Sequence, residues 1–144
     1  MQSGFSDLSN IFEVLETKTS YHIVEEYFEG GNLERKRMNN GGYFNDSMCA
    51  KIIEKILHVL ISLHENDVVH RNICPSSIMF KSTISDEYLL KVSGYDIFTT
   101  TIKEDSASSI EYCPPEILRN EVVEEHLDKV DIWALGVLSY AIID

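Results

Sequence analysis

Apolar positions along this chain change their period several times, and each change marks an element. "IFEVLET" (Ile11 to Thr17) and "YHIVEEY" (Tyr21 to Tyr27) are short runs rich in β-branched and aromatic residues. Joined by Lys18 to Ser20, they predict a β-hairpin. "EGGN", Glu29 to Asn32, breaks the second strand. Met48, Ile52, Ile53, Ile56, Leu57, Leu60, Ile61 and Leu63 then recur at helical spacing, with Asn45 as N-cap. His58 and His64 lie on this helix six residues apart, poor spacing for a ligand pair, and read as surface or boundary residues. "SIMF" and "YLLKV" (Tyr88 to Val92) predict two more strands around the polar turn "KSTISDE". Gly94 to Glu111 reads as a long polar loop, and "PPEILRN" as a short helix opened by prolines. "DKVDIWALGVLSYAIID" predicts a strongly apolar helix up to Asp144. Such a helix must pack on missing sequence, on another chain or on the existing core.

Composition narrows the classes. The 144 residues fit one domain with a sizeable core, and 44% hydrophobic with 25% charged residues is ordinary for a globular protein. A formal net charge of −12 argues against nucleic acid or an anionic membrane as the main partner. Cys49, Cys74 and Cys113 are widely spaced, an odd count that suits neither a metal cluster nor a disulfide framework. With no signal-like N-terminus, this points to a reducing, cytoplasmic setting. "NDS" at Asn45 to Ser47 fits a glycosylation pattern but reads better as helix-start chemistry. The most apolar run, Trp133 to Ile143, is too short to span a bilayer.

Five segments carry a resemblance. "YHIVEEYFEGGNL" is similar to a fifth strand, hinge and Gly-Gly turn. "IIEKILHVLISLHENDVVHRN" is similar to a long central helix entering a catalytic loop. "KVSGYDIF" stands where an Asp-Phe-Gly segment belongs, "EYCPPEIL" at the end of an activation segment, and "DIWALGVLSY" at an anchoring helix. In this order they resemble a protein kinase of the calcium-dependent and calmodulin-dependent Ser/Thr branch, truncated and pseudokinase-like.

The resemblance implies an α+β, mainly α, protein-kinase-like fold. Residues 1–144 would form one partial domain, from the fourth strand of the small lobe through the anchoring helix of the large lobe. The large C-terminal lobe would then carry two remnant strands of the small one. The motifs reach from about Asn10 and cover roughly half of a family catalytic domain. Nothing is similar to the Gly-rich loop, the strand lysine or its partner glutamate, and the helices after the anchoring helix have no counterpart.

Phosphoryl transfer needs a base, cations on the phosphates and carboxylate-held metal. Aligned with the family, Asn72 stands at the base, Cys74 at the lysine and Ser77 at the metal-binding asparagine. A neutral amide cannot take up a proton near pH 7. Gly94 stands at the metal-binding aspartate, or Ser93 with a one-residue slip, and Asp96 is the one nearby carboxylate that a distorted loop could bring in. Glu25 falls at the back of the adenine pocket or turns to solvent because the small lobe is incomplete. Glu26 and Tyr27 match the hinge, and Asn32 matches an acidic ribose contact. His70 and Arg71 are retained, as are Asp131, which would receive the loop backbone, and Glu116, whose usual arginine partner has no counterpart. Arg71 could hold a phosphate on Thr99, Thr100, Thr101 or Ser106, or that loop is simply solvated.

Retained scaffold with lost chemistry implies a catalytically inactive module acting in signalling by protein–protein binding, with an active kinase or a second copy of itself as partner. No cofactor is then expected; ATP and magnesium enter only with residual activity. The alternatives are a Ser/Thr kinase fragment with residual ATP binding, and a partial gene product that folds by self-association. No EF-hand loop is present, so a calcium response would need other sequence.

Overall fold

The amphipathic segment after Asn45 is the longest helix. In the computed structural model, which describes residues 4–82, 90–93, 110–119 and 126–144, α2 runs Asp46–His64. Asn45 Oδ1 accepts the Met48 amide at 2.9 Å, so the side chain serves as a cap. Replacing Asn45 with alanine orphans that donor and should cost about 1 kcal/mol, read as a lower urea midpoint with an unchanged m-value.

Cys49, Ile52, Ile56, Val59, Leu60 and Leu63 form the buried face of α2. They meet α4, Asp128–Ile143, which buries Ala134, Leu135, Leu138 and Ile142. In sequence α4 shows no clear polar face. The structure nonetheless splits it, with Ile132, Trp133, Tyr140 and Ile143 exposed on the other side. One face therefore packs on the existing core.

The described residues also form two small sheets. β1 (Ile11–Glu16) and β2 (Tyr21–Glu25) form an antiparallel hairpin with an irregularity at Phe12. Thr17 closes it, its Oγ1 accepting the Ser20 amide at 3.0 Å. A second sheet has the order β3 (Gly31–Asn32), β4 (Ile78–Phe80), β5 (Leu90–Val92), all antiparallel.

"EGGN" does more than break a strand. The Gly30 amide donates to Phe80 O at 3.0 Å, and a side chain at Gly30 would lie 2.6 Å from the carbonyls of Phe80 and Ser82. Only glycine permits that approach. Asn32 then caps a helix the periodicity missed, α1 (Leu33–Asn39), which buries Leu33. α3 is the short Pro115–Leu118. The candidate residues Gly94, Asp96, Thr99, Thr100, Thr101 and Ser106 lie outside the described residues.

Candidate functional site

The loop from Val68 to Ser77 leaves α2, crosses in front of the N-terminal turn of α4 and enters β4. Asp131, on that turn, is fully buried and takes three hydrogen bonds. The amides of His70 and Arg71 donate to it at 2.8 and 2.7 Å, and His64 Nε2 lies at 2.8 Å. The sequence reads His64 as a surface or boundary residue; the last turn of α2 instead brings it onto a carboxylate 67 residues away. Arg71 has φ of 65°, in the left-handed region, which is costly for a side chain with a Cβ. The Asp131 hydrogen bonds hold it there.

His70 is fully buried beneath the loop. Its Nδ1 accepts the Asn72 amide at 3.2 Å, so the neutral ring carries its proton on Nε2. Burial depresses its pKa to about 4, against smaller opposing effects from Asp131 and a backbone hydrogen bond with Ser93.

The loop positions matched to the base, the lysine and the metal-binding asparagine follow. Asn72 Oδ1 lies 3.7 Å from Cys74 Sγ, and that buried sulfur is 3.0 Å from Ser76 Oγ. Ser77 is buried, its Oγ accepting the Cys74 amide at 3.1 Å and donating to Cys74 O at 2.9 Å. Its hydroxyl therefore closes the 3-10 turn Pro75–Ser77 instead of facing outward as a ligand. Magnesium prefers hard, mostly anionic oxygens in octahedral array. Among the described residues the loop offers one side-chain amide and the hydroxyls of Ser76 and Ser77, the second bonded within its own turn, and there is no cluster of three His, Cys, Asp or Glu side chains. These residues do not fit a magnesium triphosphate.

The nucleotide-pocket candidates scatter. Glu25 turns to solvent at the end of β2, where Ser9 Oγ donates to it at 3.1 Å, so it does not back an adenine pocket. Asn32 Oδ1 accepts the Arg35 amide at 3.0 Å and works as a helix cap rather than a ribose contact. Tyr27 is 86% exposed. Glu26 is the half-buried member, bonded to Lys91 Nζ at 2.6 Å and Lys81 Nζ at 3.3 Å, with Asn10 Nδ2 at 3.1 Å. The Lys91 hydrogen bond holds its carboxyl below the usual range. Lys91 is only 6% exposed, and Glu26 supplies the acid that a buried ammonium requires.

Glu116 sits in the first turn of α3, where its charge adds to burial in pushing the Cys113 thiol up; it makes no ion pair among the described residues. A cavity of about 370 Å³ opens between α1, the Pro75–Ser76 turn, Tyr112 and the end of α4. Glu34, Glu111 and Arg37 line it, and Arg37 donates to Ala141 O at 3.3 Å. No motif in the sequence pointed to it.

The family model described as protein kinase domain matches residues 2–144, beginning eight residues before the recognisable motifs. The chain belongs to the protein kinase family. Among kinases it is 32% identical over 139 residues to the serine/threonine-protein kinase cds1 of Schizosaccharomyces pombe, covering 91% of this chain and 29% of that protein. Human calcium/calmodulin-dependent protein kinase type IV is 29% identical, with 91% and 28% covered. A CDPK-related protein kinase of Daucus carota is 28% identical, with 98% and 23% covered. The chain therefore spans less than a third of these kinases. A crystal structure of Rad53 1-466 in complex with AMP-PNP superposes with a TM-score of 0.74 at 23% identity, over 95% of this chain and 33% of that one. That likeness shows a protein-kinase-like fold, as the motif order implied.

Proposed function

We propose that this chain is a catalytically inactive kinase-fold module that works in cytoplasmic signalling by binding another protein. One observation carries the reading. The catalytic-loop backbone is anchored through Asp131, while Asn72, Cys74 and Ser77 present neither base, cation nor outward metal ligand. Losing a general base alone costs on the order of 10²- to 10⁴-fold in rate. The missing cation and ligand come on top of that.

Its relatives carry kinase names, and Rad53 was crystallised with a nucleotide analogue, so ATP is the ligand to test. Melting the full chain with millimolar magnesium ATP should give no shift. Occupancy at a hundredfold over Kd would add about 2.7 kcal/mol and be readily seen. Magnesium-dependent stabilisation together with phosphate transfer to a generic basic substrate would overturn the reading. Sedimentation then separates the two kinds of partner, since a concentration-independent monomer excludes a second copy.

A further inference from the structure

We infer that the Asn40–Gly41 bond is a self-modifying site, where the Asn40 side-chain amide is converted without an enzyme into aspartate and β-linked isoaspartate. The inference goes beyond the inactive-module reading and shares no observation with it. Asparagine is among the thermolabile residues. A following glycine favours its loss, because no side chain shields the glycine nitrogen or restricts its backbone. Of the eight asparagines in the chain, Asn40 alone precedes a glycine.

The pair ends α1. Asn40 is the C-cap and is exposed, and Gly41 and Gly42 follow with φ of 82° and 93°. Their amides turn back onto the helix, Gly42 N to Arg37 O at 2.9 Å and Gly41 N to Met38 O at 3.3 Å, a common helix end. The second bond is long, so the nitrogen that must attack is the more weakly held of the two. Asn40 Nδ2 donates to Tyr43 O at 3.2 Å, the upper end of the usual range. Among the described residues a side chain at Gly42 would meet nothing within 4 Å, and one at Gly41 would meet the Tyr43 ring at 3.7 Å. The turn therefore has room to rotate Asn40 from its ψ of 17° until the Gly41 nitrogen faces Cγ. Every atom in the reaction belongs to residues 37–43 or to water.

The step balances as a substitution followed by hydrolysis, with no change of oxidation state. Hydroxide takes the Gly41 amide proton, and the nitrogen bonds to Asn40 Cγ. The Cγ–Nδ2 bond breaks and ammonia leaves, giving a five-membered imide. Water then opens the imide at Cγ to give aspartate, or at the backbone carbonyl carbon to give isoaspartate. The isoaspartyl link puts one extra carbon into the main chain where the Gly41 and Gly42 amides must reach back to Met38 and Arg37. Either product also sets a carboxylate at the C-terminal end of α1, which the helix dipole opposes. Ageing at this bond loosens the end of α1.

The test holds the full chain at physiological pH and temperature beside a sample denatured in urea. Peptide mapping by mass spectrometry locates the amide-to-acid change, and methyl transfer by an isoaspartyl methyltransferase counts the β-linked product. Asn40 should convert ahead of every other asparagine, within about tenfold of the denatured sample, the factor that about 1.4 kcal/mol of local opening imposes. The rate should rise with pH. The variant Asn40→Gln, whose longer side chain disfavours the ring, should lose the methyl label and keep the melting temperature. In the modified fraction the Gly41 and Gly42 amides should exchange hydrogen faster than in fresh protein. Another asparagine converting first overturns the inference, as does a label undiminished in Asn40→Gln. Conversion more than about a hundredfold slower than in the denatured sample also overturns it, because the fold would then be guarding the bond. Unchanged exchange in the modified fraction would overturn the loosening of α1. The nucleotide and transfer measurements on fresh protein decide the inactive-module reading separately.

Discussion

Replacing Asp131 with alanine is expected to remove about 3–5 kcal/mol of stability, the range for breaking a buried charged network from one side. For a domain of this size that is a fall in melting temperature on the order of 10 °C. Three donors lose their acceptor at once: the amides of His70 and Arg71 and the ring of His64. The amides lie in a loop whose Arg71 backbone already sits in the left-handed region, so the loop has every reason to relax. Replacing His64 with alanine takes away one donor and leaves the two amides in place. It should cost about 1.5–3 kcal/mol, typical of a hydrogen bond to a charged group. Urea unfolding of the two variants checks the order. An Asp131 variant no less stable than the His64 variant would mean that the carboxylate does not organise the loop.

Acid should unfold the protein earlier than its carboxylates alone would require, because His70 is buried neutral. Its pKa is about 4 in the folded state against an ordinary value of 6.5. Between these values the unfolded chain binds a proton that the folded chain refuses. The stabilising contribution is complete above pH 6.5 and is lost as the pH falls toward 4, at about 1.4 kcal/mol per pH unit and about 3 kcal/mol in all. Glu26, whose carboxyl is held low by Lys91, adds to the loss only from its ordinary value of 4.5 downward, so the upper part of the window belongs to the histidine. The variant His70→Gln should flatten the dependence between about pH 6.5 and pH 5, whatever its stability at neutral pH. Parallel slopes for the two proteins would refute the buried neutral ring.

Long periodic segments were legible in the sequence. α2, its Asn45 cap, the hairpin and α4 all follow from spacing, because many residues repeat one signal. α1 and β3 were not, since seven and two residues are too few to show a period and a Gly-Gly pair reads as an interruption. The pairing of Lys91 with Glu26 was not legible either, since the two residues lie 65 positions apart. His64 looked like a solvent residue because nothing nearby in sequence reveals Asp131. The placement of Asp131 beneath the loop was implied by the family resemblance rather than by pattern. Ser77 could be matched to a metal position by alignment, yet only the folded 3-10 turn shows its hydroxyl bonded to Cys74 at both ends.

Asp131 holds the loop by backbone amides, and every amino acid except proline supplies one. Substitutions at positions 72, 74 and 77 therefore leave that anchor untouched. A lineage can shed its phosphotransfer residues one by one without a folding penalty at this anchor. Geometry and reactivity are inherited on separate accounts, and the first can persist long after selection has stopped maintaining the second.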